Sequence, residues 1–147
     1  MKTTNKFSMN IPACSANEAF ARATVAAFAA QLDPTLEEIS DIKTAVSEAV
    51  TNCIVHAYNE GIGKIYISGE ITDTALLRIK IRDRGCGIEN IGKAMEPLYS
   101  TRGGERAGLG FAVMQSFMDD LRVISKPDRG TTVTMCKKIK PRVHING

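Results

Sequence analysis

The strictest pattern in this 147-residue sequence is the alternation of apolar and basic side chains over residues 76–83, LLRIKIRD. Successive side chains of a β-strand point to opposite faces, so this segment predicts a strand with one buried and one solvent-facing side. Residues 64–71 alternate more weakly and predict a neighbouring strand. A sheet made of such strands needs a second layer to cover its apolar face.

Two helical segments in the first half of the chain can supply that layer. Ser15 with Glu18, and Thr35 with Glu38, have the spacing of capping boxes, so we expect one helix to about residue 31 and another to about residue 58. In the second helix, six side chains fall on one apolar arc: Ile42, Val46, Ala49, Val50, Cys53 and Ala57.

The remaining elements complete one architecture. Residues 6–11 predict a first strand, and residues 122–125 and 131–138 predict a final hairpin. A third helix follows a glycine-rich loop, with these residues expected on its buried face: Leu109, Ala112, Val113 and Phe117. The fold class is α+β, a two-layer sandwich with helices on one face of a mixed, mostly antiparallel sheet. We expect one domain over residues 1–147, with 140–147 as a loose tail.

Composition excludes several classes of protein. A net charge of +3 from interspersed residues is too weak for a nucleic-acid-binding face. The start of the chain is polar, and no apolar run approaches the roughly 20 residues that cross a bilayer. The four cysteines are scattered and form no CxxC pair. We therefore expect a cytoplasmic protein with free thiols, no membrane partner and no direct nucleic-acid partner.

Three motifs carry chemistry. Glu48 and Asn52 lie four residues apart on the second helix and share a face, where they could provide a base and an oxygen ligand for Mg²⁺. A solvated polar stripe would show the same pair. Asp83, Gly85 and Gly87 form D-x-G-x-G, in which a carboxylate at a strand end could accept a hydrogen bond from adenine. A simple turn would also explain the two glycines.

The third motif is the loop over residues 100–110, STRGGERAGLG, which leads into a helix. Free N–H groups at a helix start, with hydroxyls and arginines nearby, can bind phosphates. Two rival motifs fail: residues 87–94 lack the hydroxyl of a P-loop, and Gly108-Leu109-Gly110 lacks the third glycine of a dinucleotide fingerprint. His56 follows Asn52 by one turn, and we interpret it as an ordinary, partly buried histidine.

The order of these motifs, followed by Gly130-Thr131-Thr132, resembles the GHKL superfamily of gyrase, Hsp90, histidine kinase and MutL ATPases over the whole chain. Residues 17–34, 41–58 and 100–119 are similar to its anti-sigma serine kinases. The resemblance implies that Glu48 is the general base, Asn52 the Mg²⁺ ligand and Asp83 the adenine-binding residue. It also implies close ligand approach at Gly87 and a contact near the base from Thr132. The implied lid and phosphate loop comprises Ser100, Thr101, Arg106, Gly108, Leu109 and Gly110.

The same resemblance implies the cofactors ATP and Mg²⁺ and two protein partners. A homodimer would bind sigma factor F when ATP is bound and would phosphorylate an anti-anti-sigma factor on serine. Arg22 would contact the partners, with Glu18 beside it, although the two could also form only a surface ion pair. Two alternatives stay open: the catalytic domain of a histidine kinase, and a sigma-binding module that uses ATP only as a structural ligand.

Overall fold

The computed structural model describes residues 1–58, 63–88 and 106–141, with the backbone alone at 106–108. Within these ranges, five strands form one sheet in the order β1-β2-β3-β5-β4, and every pairing between them is antiparallel. In the same part of the chain, three α-helices, α1 to α3, pack on one face of this sheet. The strand bounds are β1 Thr3–Pro12, β2 Lys64–Thr72, β3 Leu76–Asp83, β4 Asp120–Lys126 and β5 Gly130–Lys138.

The two-layer α+β fold class is therefore confirmed. A mixed sheet was expected, and the described strands are instead all antiparallel. Helix α1 spans Ala16–Ala29, α2 spans Leu36–Asn52 and α3 spans Arg106–Phe117. A short 3₁₀ turn, Ala30–Leu32, ends α1, and a π-helical turn, Cys53–Ala57, extends α2. Strand β3 begins and ends where the alternation predicts, and β1 is longer than predicted at both ends.

The two predicted capping boxes have different outcomes. At α2, Glu38 N–H donates to Thr35 Oγ1 at 3.0 Å and Thr35 N–H donates to Glu38 Oε1 at 2.8 Å, so this box is confirmed. At α1 the prediction is wrong, because Ser15 makes no side-chain capping bond and already has helical backbone angles. The Glu18 carboxylate instead accepts a hydrogen bond from Ser47 on α2.

The core lies between the helices and the inward face of the sheet. All six residues of the predicted α2 arc are buried, and all but Ala57 belong to one core cluster with the buried isoleucines of β2 and β3. The predicted face of α3 is wrong, because Leu109 and Phe117 are exposed and Phe111 and Met114 are buried instead. This helix is apolar around most of its surface, so its sequence does not determine which side is buried.

Two further expectations concern membrane-spanning helices and the tail at residues 140–147. Within the described residues, no helix is long and apolar enough to cross a membrane. Of the expected tail, the Lys140 N–H donates to Glu38 Oε2 at 3.1 Å, and residues 142–147 lie outside the described part.

Candidate functional site

One end of the candidate site is the buried carboxylate of Asp83, at the end of β3. Its Oδ1 accepts the N–H of Gly85 at 2.9 Å and the N–H of Thr131 at 3.2 Å. Its Oδ2 lies 3.6 Å from the Cys53 thiol. Burial raises the pKa of the Asp83 carboxyl above its ordinary value, although these hydrogen bonds act in the opposite direction. We refer to Asp83 and the backbone around it as the base end.

Three glycines let backbone segments meet at the base end. A methyl group at Gly85 would overlap the Ala57 carbonyl, and one at Gly130 would overlap the Asp83 carbonyl. Gly87 has φ of 75°, and a methyl group there would overlap the Lys126 carbonyl. Gly87 is thus required by the packing of the β3 loop on the β4–β5 turn, a reason independent of any ligand.

The threonine at the base end is Thr131 and not the predicted Thr132. In the β3–β5 register Thr132 pairs with Arg82, whose side chain is exposed, so both point to the open face of the sheet. Thr131 lies on the helix side with Asp83, is buried, and hydrogen-bonds through Oγ1 to Ser125 Oγ at 2.7 Å. Of the two threonines, Thr131 is therefore the one beside the Asp83 carboxylate, and the contact of Thr132 with a base stays a prediction.

The other end of the site lies where α3 crosses the end of α2. Glu48 and Asn52 share one face of α2, and Gly110 of α3 lies over both of them. A methyl group at position 110 would lie 3.2 Å from Glu48 Oε2 and 3.3 Å from both amide atoms of Asn52. We refer to Glu48, Asn52 and Gly110 as the phosphate end, because the glycine-rich loop leads into α3 here.

The amide of Asn52 is the least satisfied polar group at this end. Both Nδ2 and Oδ1 are buried, and neither has a hydrogen-bond partner among the residues that the structure describes. Leaving such a group unpaired costs about 1–3 kcal/mol. An amide oxygen is a suitable ligand for Mg²⁺, so the residues present fit a metal-bound nucleotide.

A π-helical turn joins the two ends. Such turns are frequent at functional sites. Here the turn begins at Cys53, directly after Asn52, and its last carbonyl, that of Ala57, accepts the Cys86 N–H at 2.7 Å. The His56 carbonyl accepts a hydrogen bond from the Cys86 thiol at 3.2 Å. The turn therefore fixes the loop after Asp83 against the helix that carries Glu48.

A groove of about 600 Å³ between α1 and α2 leads to Glu48. Arg22, Lys43 and Ser47 also line it. Glu18 bridges its two helices, since its carboxylate accepts the Ser47 hydroxyl and lies 3.7 Å from Arg22. Of the two predicted partner residues, Arg22 thus lines an open groove and Glu18 connects the helices.

The remaining predicted residues are those of the predicted lid and phosphate loop. Ser100 and Thr101 lie outside the described residues, as does Arg102. Arg106 and Gly108 belong to the first turn of α3, where only the backbone is described. Leu109 is 45% exposed, so its side chain points away from the core.

Sequence reasoning missed three residues of the base end: Cys53, Ser125 and Thr131. Cys53 was predicted only as part of an apolar arc, and it contacts a carboxylate 30 residues away. Ser125 Oγ accepts the Ile88 N–H at 2.8 Å and donates to the Gly130 carbonyl at 3.1 Å, which connects the β3 loop to β5. The paired segments and the Gly-Thr-Thr motif were visible, but their register was not.

Comparisons with known proteins agree with this geometry. The model of the histidine kinase-like ATPase domain family matches residues 11–137. An anti-sigma F factor from Thermoanaerobacter sp. strain X514 is 58% identical over 140 residues, which cover 95% of this chain and 97% of the relative. Anti-sigma F factors from Clostridium acetobutylicum and Pasteuria penetrans are 55% and 54% identical over 91% and 92% of this chain, and 94% and 92% of their own lengths.

Solved structures show the same fold at low identity. The RsbU and RsbW domains of Rv1364c from Mycobacterium tuberculosis match with a TM-score of 0.70 at 20% identity, over 97% of this chain and 35% of that one. The mycobacterial sensor histidine kinase MprB matches with a TM-score of 0.56 at 22% identity, over 71% of this chain and 74% of that one.

The fold and the site thus define a histidine kinase-like ATPase of the GHKL type. Within that class, the chain belongs to the anti-sigma F factor family.

Proposed function

We propose that this protein is an ATP-dependent serine kinase that also binds and inhibits sigma factor F. The ATPase family supports the nucleotide, and the names of the relatives support the sigma factor. One observation carries the kinase activity: Glu48 lines an open groove and lies beside the unpaired amide of Asn52. A module that only binds a sigma factor has no need of an acid at this position.

Each end of the site has a task in this proposal. Asp83 would accept a hydrogen bond from the exocyclic amine of adenine, and the Asn52 amide oxygen would be a ligand of the Mg²⁺ ion. Bound Mg-ATP supplies the γ-phosphoryl group that is transferred. Glu48 takes the proton from the acceptor serine hydroxyl. As it does so, the serine oxygen bonds to the γ-phosphorus, and the bond between that phosphorus and the ADP oxygen breaks.

The groove between α1 and α2 brings the acceptor to Glu48. Arg22, Lys43 and Glu48 all line this groove. A serine carried on a loop of the anti-anti-sigma factor can enter between Arg22 and Lys43 and reach Glu48. In this proposal the loop that surrounds the phosphates comprises Ser100, Thr101, Arg106, Gly108, Leu109 and Gly110.

Glu48→Gln tests the kinase activity directly. Loss of a general base typically lowers the rate by about 10²–10⁴-fold, and the carboxamide keeps the shape of the side chain. We expect almost no phosphoserine on the anti-anti-sigma factor and unchanged Mg-ATP affinity by calorimetry. Glu37→Gln, an exposed acid on the first turn of α2, is the matched control. Undiminished transfer by Glu48→Gln would refute the assignment of Glu48.

The same assay separates the alternatives. Phosphoserine survives acid and phosphohistidine does not, so an acid-labile product would indicate a histidine-kinase reaction. A pull-down of sigma factor F in ATP and in ADP tests the inhibitor function, with Arg22→Ala expected to weaken both the sigma complex and phosphorylation. Sigma binding without any phosphorylated product would identify a binding module.

We extend the proposal to a homodimer of one-domain chains, residues 1–147, in the cytoplasm. This part rests on the resemblance of residues 17–34, 41–58 and 100–119 to anti-sigma kinases. Light scattering of the purified protein should give twice the monomer mass of 15.9 kDa. A monomer mass at micromolar concentration would refute the dimer and leave the chemistry intact.

A further inference from the structure

Cys53 occupies a position behind the base end that the proposed chemistry does not use. It is the first residue of the π-helical turn and follows Asn52 directly. Its side chain is 4% exposed and lies in the core between α2 and the sheet, with Sγ 3.6 Å from Asp83 Oδ2. Consecutive residues of one helix thus serve the two ends of the site.

The two oxygens of Asp83 have different surroundings. Oδ1 accepts two backbone N–H groups, those of Gly85 and Thr131. Among the described residues, the hydrogen-bond donor to Oδ2 is the Cys53 thiol. A carboxylate oxygen has two lone pairs, so Oδ2 keeps one acceptor position for a ligand.

We propose that Cys53 is a positioning residue for base selection: its S–H group donates to Asp83 Oδ2 and orients that oxygen toward the exocyclic amine of a purine. This inference rests on the proposed function, since it assumes that Asp83 contacts the base. It adds to that function a residue that strengthens the preference for 6-aminopurine nucleotides over purine nucleotides without that amine.

The chemistry of the thiol agrees with a donor role. Cys53 Sγ lies 3.6 Å from Asp83 Oδ2, within the distance at which a thiol donates a hydrogen bond to a carboxylate oxygen. A protonated thiol is a weak hydrogen-bond donor, and a thiolate would repel the carboxylate. The Asp83 carboxylate that the thiol orients is an acceptor, so it disfavours a 6-oxo purine, whose carbonyl would face it as a second acceptor.

The test compares Mg-ATP with Mg-purine riboside triphosphate, which lacks the 6-amino group, by calorimetry on the full chain. We expect the wild-type protein to prefer ATP. In Cys53→Ala that preference should fall by roughly threefold to tenfold, with affinity for purine riboside triphosphate unchanged. Cys53→Ser, which keeps a donor, should restore most of the preference. If Cys53→Ala does not fold, Cys53→Val serves in the same comparison, because it removes the donor and still fills the space of the buried side chain.

Each outcome addresses one idea. An equal loss of affinity for both nucleotides, or a preference retained in full, would overturn the role of Cys53, because a structural effect does not depend on the amine. A wild-type protein that binds both nucleotides equally would also overturn it, and would leave the kinase proposal standing. A folded wild-type protein that binds neither nucleotide would refute the proposed function itself.

Discussion

The base end and the phosphate end of the site differ in how far the protein satisfies its own polar groups. At the base end, the Asp83 carboxylate accepts hydrogen bonds from two backbone N–H groups and contacts a thiol. At the phosphate end, the buried Asn52 amide has no partner among the described residues. If a nucleotide binds here as proposed, one end is formed before it arrives, and the other offers it an unsatisfied buried amide.

The contrast follows from the elements that form each end. The base end is made of backbone from β3, β5 and the π-helical turn, which glycines allow to approach closely. The phosphate end is made of side chains from α2 that face Gly110 on α3. Backbone contacts fix the geometry of the base end. At the phosphate end, the unpaired amide costs about 1–3 kcal/mol of folding free energy, and a ligand that pairs with it would remove that cost. The base end is therefore held by contacts within the protein, whereas the phosphate end keeps a buried amide without a partner among the described residues.

The largest effect should come from Gly87→Ala at the base end. The left-handed φ of 75° and the overlap of a methyl group with the Lys126 carbonyl should cost about 3 kcal/mol of unfolding free energy. Gly110→Ala is the matched change at the phosphate end, where a methyl group meets only side-chain atoms at 3.2 and 3.3 Å. We expect it to cost under about 1 kcal/mol. Urea unfolding measures both, and equal losses would abolish the contrast.

Asn52→Leu should have a smaller effect on stability, with the opposite sign. Replacing an unpaired buried amide by an apolar side chain of similar size should stabilise the nucleotide-free protein by about 1 kcal/mol, while Mg-ATP binding is lost. Asn17→Leu is the control, because the Asn17 amide donates to the Pro12 carbonyl at 2.9 Å and its removal should destabilise. Thermal unfolding with and without Mg-ATP distinguishes them. A destabilised Asn52→Leu would indicate that the amide is already satisfied.

The sequence predicted those parts of the molecule that depend on near neighbours. The α2 capping box needs only Thr35 and Glu38, three residues apart, and the strand alternation of β3 needs only its own eight residues. The fold class follows from the order of these elements. The four-residue spacing also placed Glu48 beside Asn52, although their roles stay predictions.

Tertiary contacts determined the remainder. The predicted capping box at Ser15 is absent because Ser15 already has helical backbone angles and the Glu18 side chain bonds instead to Ser47, 29 residues away. The buried side of α3 is chosen by the approach of Gly110 to α2, which an evenly apolar helix does not encode. Thr131 could not be distinguished from Thr132 without the register of β5 on β3, since a shift of one residue reverses the face.

The smallest effect, and the sharpest test of a preformed base end, is the pH dependence of Asp83→Asn. Because burial raises the pKa of Asp83 in the folded state, ionisation costs stability as pH rises from the ordinary value of 3.8 toward the raised one. The unfolding free energy of the wild-type protein relative to Asp83→Asn should therefore fall over this window, by at most about 1.4 kcal/mol per pH unit for one proton. Asp120→Asn, an exposed aspartate on β4, controls for the change of charge.

Nucleotide should act on this pH dependence in a definite direction. An amine that donates to Asp83 favours the ionised carboxylate, so Mg-ATP affinity should weaken as pH falls through the raised pKa, and Asp83→Asn should lose that dependence. Urea titrations from pH 4 to pH 8, with and without Mg-ATP, measure both effects. A relative stability that rises with pH in the nucleotide-free protein would mean that the carboxylate is stabilised in place. The ionised carboxylate at the base end would then not lower the stability of the nucleotide-free protein. Only the phosphate end would keep a polar group that nucleotide has to satisfy.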